Sequence, residues 1–507
     1  MDISLKHEDC KLLESFIENI SEECVEADFS MPEYMPEILR IIKSVAEPKI
    51  NSCRVTGDRA TIDGTCLLKM IYTAEDGGVY SFSQERNFTR YCENAEFSQC
   101  TDTIARVSVS YVNCRATSTK RAEIKAGLNI SVVGYTVKTQ DVIAIADKTD
   151  IEEKCMPVRC ASLGCRKTRS FAMSDTITLN VPSAFVISSR AVAVCNDIRK
   201  INNKIMLKGE AIVDICYVNA DDKSQTERIK HNLPINQILE FDGLEERFSG
   251  EVILNVCAVD VIQKNENDGR GTSFDISLGV DASATMWEEK ELLVITDAYS
   301  VGSCIDLKKT NYSFLCSPEY IKDTYIHKEE LSLSGANISD IVDVTGDITR
   351  CDVKCENSSI VFYGSVSVSV LTRDLSGNIV NYNKLIDYRY EKKSEDYCSN
   401  TKCSPDVKLL SLDYMKKSDN CIDLRFEFKI CGEVFQCLFL DAVTDITESE
   451  IQVKKERNAI TVYFPEKEES LWSIARKYNT TVTAIAQEND LSGETTEDLK
   501  IVFIPAV

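Results

Sequence analysis

Most of this chain alternates apolar and polar residues with a period of two, and the alternation restarts in three self-similar segments. The segments read IDGTCLLKMIYTAEDGG (62–78), LKGEAIVDICYVNADDK (207–223) and FYGSVSVSVLTRDLSGN (362–378). Aligning Gly64, Gly209 and Gly364 places Tyr72 opposite Tyr217 and a polar turn after each run. A strand, a turn and a second strand are typical of a β-hairpin. The segments recur about every 150 residues, a common domain length, so each predicts one domain.

Further alternating runs follow each segment and predict antiparallel sheets with one buried face. The predicted fold is multidomain and mainly β: three tandem antiparallel β-sandwich or open-barrel domains plus a small α+β (βααβ) domain. Charged and small residues interrupt the alternation between these units. We expect the β-domains at 51–150, 170–300 and 325–448, and the small domain at 458–507.

The first 50 residues predict helices that pack on the first β-domain. Two apolar stripes recur at the spacing of a helix. They are Leu12, Leu13, Phe16, Ile17 and Ile20, and then Ile38, Ile41, Ile42 and Val45. Pro36 suits a first helical turn, where its missing N–H leaves no bond unmade.

The charge of the chain disfavours two classes of partner. The formal net charge is −23. Such a surface repels phosphate backbones and anionic lipids, so we expect neither nucleic-acid binding nor direct membrane insertion. The charged segment 1–10 lacks the apolar stretch of an export signal, and we find no run of eighteen apolar residues.

The chain has 22 cysteines, an unusually high number. No CxxC pair is present, and without an export signal a secreted disulfide framework is not expected. Most cysteines lie singly in strand-like runs, where a free thiol packs as a small apolar group. Metal binding and late oxidative cross-linking remain the alternatives.

The sequence offers no set of catalytic residues. It contains three histidines, and acid–base catalysis and zinc binding both depend heavily on this residue. Phosphate-binding, dinucleotide-binding, nucleophile-elbow and zinc-protease motifs are all missing. Adjacent carboxylates such as Asp221 and Asp222 point different ways on a turn, so we do not expect them to act as a catalytic pair. We therefore predict a protein that is not an enzyme and uses no cofactor or metal.

The last fifty residues predict strand, helix, helix and strand. Ser470 is a good N-cap, and the following apolar residues recur at i, i+3, i+4 and i+7. A second helix repeats this spacing, and the strands ITVYFP (460–465) and KIVFIP (500–505) flank the pair.

This segment resembles the LysM family through ITVYFP, ESLWSIARKYNTTVTAIAQENDL and KIVFIP. The resemblance implies binding of N-acetylglucosamine-containing glycans by the loops before the first helix and the last strand. Both loops depart from the family. Glu468-Glu469-Ser470 replaces Gly-Asp-Thr, and Glu497-Asp498-Leu499 replaces a turn with glycine. Losing the glycines restricts backbone approach to a sugar, which favours a protein partner instead.

We place the partner-binding site of this module at Trp472, Ile460, Leu471, Arg476 and Lys477. Two interpretations of Trp472 remain open. The ring covers the edge of a small core, or it is a partly exposed aromatic anchor for a partner. Arg476 and Lys477 would steer an acidic partner surface toward it.

The β-repeats and the segment MPEYMPEILRIIKSVAEPKI (31–50) resemble the SPOCS domain of bacterial sporulation proteins. SPOCS repeats followed by LysM imply a protein of the mother-cell cytoplasm at the outer surface of the forespore. This resemblance implies a scaffold for spore coat assembly that docks the coat basement-layer ATPase SpoIVA through LysM. Other coat proteins, or a second copy of the chain, would bind the β-domains. The alternative function is binding of peptidoglycan or chitin-type glycans.

Overall fold

The computed structural model describes residues 4–147, 150–223, 225–265, 271–333, 335–448, 460–466, 469–491 and 501–505. Three copies of one β-architecture span residues 4–147 (copy 1), 151–300 (copy 2) and 305–448 (copy 3). Copy 1 has six strands and a 3-10 turn: β1 (Ser4–Ser30), β2 (Arg40–Thr56), β3 (Arg59–Thr73), β4 (Val79–Glu93), the turn Ala95–Gln99, β5 (Asp102–Ser118) and β6 (Arg121–Asp147). Copy 2 has five: β7 (Ile151–Ile201), β8 (Lys204–Asn219), β9 (Thr226–Glu240), β10 (Ser249–Asn265) and β11 (Gly271–Ser300).

Copy 3 has seven strands: β12 (Ile305–Leu315), β13 (Glu319–Ser332), β14 (Ile338–Glu356), β15 (Ser359–Asp374), β16 (Ile379–Lys393), β17 (Thr401–Ser418) and β18 (Cys421–Glu448). The C-terminal module consists of β19 (Ile460–Tyr463), α1 (Leu471–Tyr478), α2 (Val482–Glu488) and β20 (Val502–Pro505). The multidomain, mainly β fold with a small βααβ unit is thus confirmed.

Each copy builds the same two antiparallel sheets, which in copy 2 are continuous with each other through one long strand. In copy 1 the sheet orders are β1-β6-β5 and β2-β3-β4. Copy 2 merges the first two strands into the single long β7, which gives the order β10-β11-β7-β8-β9. Copy 3 instead divides its first strand, so that β12 and β13 pair along β18, β17 also pairs with β18, and β14-β15-β16 forms the second sheet.

The two sheets of each copy enclose one apolar core. In copy 1, Leu68 from the β2-β3-β4 sheet and Leu128 from the β1-β6-β5 sheet lie in the same buried cluster. Val368 and Phe428 are the corresponding pair in copy 3. Because alternate residues of each central strand face this core, the period of two in the sequence follows directly from the sandwich.

The glycines that align the repeats occupy one structural position. They lie in the equivalent strands β3, β8 and β15, each beside a register shift in the strand before it. A side chain there would meet the main-chain carbonyl of Lys49, Val194 or Arg350, so the site requires glycine. The paired tyrosines are equivalent as well: the hydroxyls of Tyr72 and Tyr217 donate to the carbonyls of Pro36 (3.1 Å) and Val181 (3.2 Å).

The copies pack around a shared stem with approximate threefold symmetry. The last strand of each copy contacts the other two, β6 with β11, β11 with β18 and β18 with β6. Ile143, Ile295 and Val443 occupy equivalent places in one buried cluster of this stem. A second cluster, beside the predicted hairpin turns, brings together Ile71, Cys216 and Leu371. The three units therefore form one body.

The predicted N-terminal helices are wrong: residues 4–30 and 40–56 are β-strands. β1 passes from the stem into the sandwich, so its apolar residues meet different neighbours along its length. Leu12 packs in the stem, Leu13 beside Trp287, and Phe16 against the core of copy 1. In β2 a register shift after Ile41 has the same effect. These changes of environment produce a helix-like spacing in an extended chain.

The predicted domain limits also need correction, because each omits the first strand of its copy. Residues 4–50 form β1 and part of β2, residues 151–169 begin β7, and residues 305–324 form β12 and part of β13. These strands lie in the stem, where their apolar residues join clusters drawn from all three copies. Because their neighbours belong to different copies, the local alternation did not assign these strands to a domain.

All 22 cysteines lie in the described part of the chain, and all are free thiols. Cys66 and Cys216 are buried within strands, as a structural role requires. Burial raises the pKa of the Cys66 thiol to about 11, which keeps it protonated and unreactive at neutral pH. Cys257, in contrast, is exposed on β10.

Candidate partner-binding site

The C-terminal module folds around a small apolar core. β19 and β20 pair antiparallel, and α1 and α2 pack on one face of this two-stranded sheet. Leu471, Ile474 and Ala475 of α1 are fully buried, and Ile485 of α2 joins them. Ser470 caps α1 by accepting from the N–H of Ser473. The predicted helical stripes are thus the core-facing sides of both helices.

The side chain of Asn489, at the C-terminal end of α2, links this helix to β20. Its side-chain amide donates to the carbonyl of Phe503 (2.7 Å), and its oxygen accepts from the N–H of the same residue (2.7 Å). One side chain thus satisfies both polar groups of a strand residue, which ties α2 to β20.

The opposite face of the two-stranded sheet is exposed and apolar. Val462 and Phe503 lie directly across from each other in the ladder and are 52% and 44% exposed. Ile460, Phe464 and Ile501 surround them, with exposures of 48%, 67% and 41%. We call these five residues the sheet face. Apolar side chains grouped on an outer surface commonly mark an interaction site.

The end of the paired strands β7 and β11 of copy 2 contacts Trp472 and Arg476, and it covers part of the indole. The indole N–H of Trp472 donates to Asp297 Oδ2 (2.9 Å), and Arg476 Nη1 donates to both oxygens of Asp297 (2.8 and 3.1 Å). The ring of Tyr299 packs edge-on against Trp472 at 4.9 Å, and its hydroxyl donates to the carbonyl of Thr480 (2.8 Å). Neither interpretation of Trp472 included this contact within the chain.

Several groups act on the Asp297 carboxyl. Burial alone would raise its pKa, but hydrogen bonds from Trp472 and Lys309 and the charge of Arg476 outweigh burial and hold the pKa below its usual value. Asp297 is therefore a carboxylate at neutral pH, and it accepts from cations of two different units.

The other three residues predicted to bind a partner lie in different surroundings. Leu471 is fully buried, so it supports the fold of the module and cannot contact a partner; its placement in the binding set is corrected here. Lys477 donates to the hydroxyl of Tyr463 (3.2 Å) and lies over its ring. Ile460 belongs to the sheet face. Glu468 and Glu497, Asp498 and Leu499 of the two predicted glycan loops lie outside the described residues.

Sequence reasoning missed Asp297 and Tyr299. They lie about 175 residues before the helix that they contact. One signal was available: the equivalent stem positions are Ile145 and Asp147 in copy 1 and Asp445 and Thr447 in copy 3. Copy 2 alone has an aromatic ring there, which distinguishes the end of β11 from the equivalent strand ends of the other copies.

Within the described residues, no group of three or more histidine, cysteine or acidic side chains could hold a metal ion. His231 pairs with Asp175 (2.8 Å), and His327 lies beside Tyr325 (3.3 Å). In the described part of the chain no helix has the length and apolarity needed to cross a membrane.

The fold and this site define a class: a tandem-repeat β protein that carries a βααβ module. A family model described as "SipL, SPOCS domain" matches residues 37–117, and the LysM domain model matches residues 466–501. The chain thus carries a SipL-type SPOCS domain and a LysM domain. We found no match among curated proteins and none among solved structures.

The SPOCS match covers β2 to β5 of copy 1, and copies 2 and 3 repeat that arrangement of strands. SPOCS and LysM are non-catalytic domain families. Together they support a sporulation-related adaptor or a LysM-type binding protein.

Proposed function

We propose that this chain is a non-enzymatic structural adaptor in spore coat assembly. Its LysM module docks the coat basement-layer ATPase SpoIVA, and the three β-copies bind other coat proteins or a second copy of the chain. It would act in the mother-cell cytoplasm, at the outer surface of the forespore. The SPOCS and LysM matches support the setting.

One observation carries the docking proposal: the sheet face of the LysM module. Val462, Phe503 and their three apolar neighbours are exposed together on the outside of a two-stranded sheet. Sugars are read mainly by hydrogen bonds and by aromatic rings that stack on them. The sheet face has no side-chain group that could hydrogen-bond a sugar, and its five apolar side chains fit a protein partner that buries them from water.

Placing a charge in the sheet face tests this proposal. Val462→Glu in the full chain is expected to weaken binding to SpoIVA at least tenfold, because a central anchor contributes about 2 kcal/mol or more. Affinity would be measured by biolayer interferometry on purified proteins. Val462 is half exposed, so we expect the variant to fold, and thermal unfolding checks this.

Ile238→Glu is the matched control, because Ile238 is an exposed isoleucine on β9, far from the module in sequence. It is expected to bind SpoIVA as the unaltered chain does. Equal affinity of Val462→Glu and the unaltered chain would contradict docking through the sheet face. Binding of chitooligosaccharide by the full chain, with no binding of SpoIVA, would instead establish the glycan-binding alternative.

A further inference from the structure

The helix α1 of the LysM module has a second candidate contact surface, formed by Trp472 and Arg476. An indole beside a guanidinium suits a partner that offers a carboxylate and an aromatic ring, since the cation pairs with the carboxylate and the rings pack together. We call this pair the Trp–Arg face. Its present occupant is Asp297-Ala298-Tyr299 of copy 2.

This occupant engages the Trp–Arg face as a short extended ligand. Asp297 and Tyr299 are two residues apart on β11, so both side chains point to the same side of the strand. The carboxylate accepts from the indole and the guanidinium, while the tyrosine ring packs on the indole. Asp297 is 16% exposed at its side chain and Tyr299 5% exposed overall, so the contact excludes water.

The same contact can open without leaving a buried charge unpaired. Lys309 of copy 3 also pairs with Asp297, at 3.1 Å. If the LysM module moved away, Asp297 would keep this partner. Arg476 is already 52% exposed and would gain water. Because a stranded buried charge is the usual barrier to separating an ion pair, its absence favours a reversible contact.

We propose that the end of β11 in copy 2 is an internal occupant of the Trp–Arg face, which an external protein segment displaces. That segment is extended and carries an acidic residue two positions before an aromatic residue, as Asp297 and Tyr299 do. The inference rests on the proposed function in assigning partner contacts to the LysM module. To that function it adds a second contact surface, the Trp–Arg face. It also states the chemistry of the segment that binds there and names the part of copy 2 that competes with that segment.

The probe is a fluorescent peptide with the sequence of residues 295–301, ITDAYSV. In the full chain, Asp297→Lys should release the Trp–Arg face, because a lysine there repels Arg476 and Lys309. Fluorescence anisotropy is expected to show at least tenfold tighter binding of the peptide to this variant than to the unaltered chain. Peptides with asparagine in place of the aspartate, or alanine in place of the tyrosine, should lose this binding.

Hydrogen–deuterium exchange gives a second measurement that needs no partner. Asp297→Lys and the milder Asp297→Asn should both speed exchange in α1, while the core of copy 2 stays protected. Asp281→Lys is the control, because Asp281 lies on the same strand and contacts Ser170 rather than the module. Unchanged exchange in α1, or peptide binding that ignores the aspartate and the tyrosine, would overturn the proposal.

Both measurements are independent of SpoIVA. If SpoIVA fails to bind while the peptide and exchange results hold, the proposed function fails and the internal occupant stands. If SpoIVA binds through the sheet face but Asp297→Lys changes neither measurement, the internal occupant fails and the proposed function stands.

Discussion

Gly364→Ala is expected to destabilise copy 3 by about 3 kcal/mol, near the upper end of the usual range for overpacking. The new methyl group would overlap the carbonyl oxygen of Arg350 on the neighbouring strand and lie 2.8 Å from the hydroxyl oxygen of Tyr388. Arg350 lies on β14, which pairs with β15 along its length, so its main-chain carbonyl cannot move away without disturbing that ladder. The free energy of unfolding in urea measures the loss.

Gly346→Ala is the control for this prediction. Gly346 also lies in copy 3, but an added methyl group would meet the side-chain ends of Leu412 (2.9 Å) and Val366 (3.2 Å). Side-chain ends can rotate away, so we expect a loss of about 1 kcal/mol, at the lower end of the overpacking range. If Gly364→Ala loses no more stability than Gly346→Ala, the close approach of the neighbouring backbone does not explain why glycine occupies position 364.

The aligned glycines show which part of the fold the sequence could predict. A period of two and a turn are local properties, and their recurrence identifies a domain without any knowledge of packing. The same reasoning failed for β1, whose neighbours change along its length. Leu12 contacts a cluster drawn from all three copies, whereas Phe16 contacts the core of copy 1. The spacing of apolar residues in such a strand can be interpreted only when its neighbours in the fold are known.

The candidate site also combines features that the sequence could predict with a contact that it could not. The two helices of the LysM module and the burial of Ile474 could be predicted from local features. These features are the spacing of the apolar residues and the capping residue before the helix. The contact between Trp472 and Asp297 joins residues from two separate units, and no local pattern could show it. That Arg476 steers an acidic partner surface stays a prediction, although the residue does pair with an acidic side chain here. In this structure that partner lies in the same chain.

Glu433→Gln is expected to stabilise the protein by roughly 3 kcal/mol at pH 8, because moving a carboxyl pKa from 4.5 to about 7 corresponds to that free energy. Glu433 lies on β18 where the three copies meet, and burial raises its pKa to about 7. The neighbouring carboxylate of Glu251 adds to the rise, while a hydrogen bond from the indole of Trp287 (2.7 Å) and the charge of Arg166 oppose it.

The direction of the pH dependence follows from the raised pKa. Glu433 stabilises the fold in its neutral form, so its contribution is complete below about pH 4.5 and is lost as the pH rises through about 7. Glutamine stays neutral, and its oxygen still accepts from Trp287. The free energy of unfolding should therefore fall less between pH 5 and pH 8 in Glu433→Gln than in the unaltered chain. Glu427→Gln, on the same strand, should keep the original dependence. If both variants keep it, the Glu433 carboxyl does not set the stability of the junction between copies.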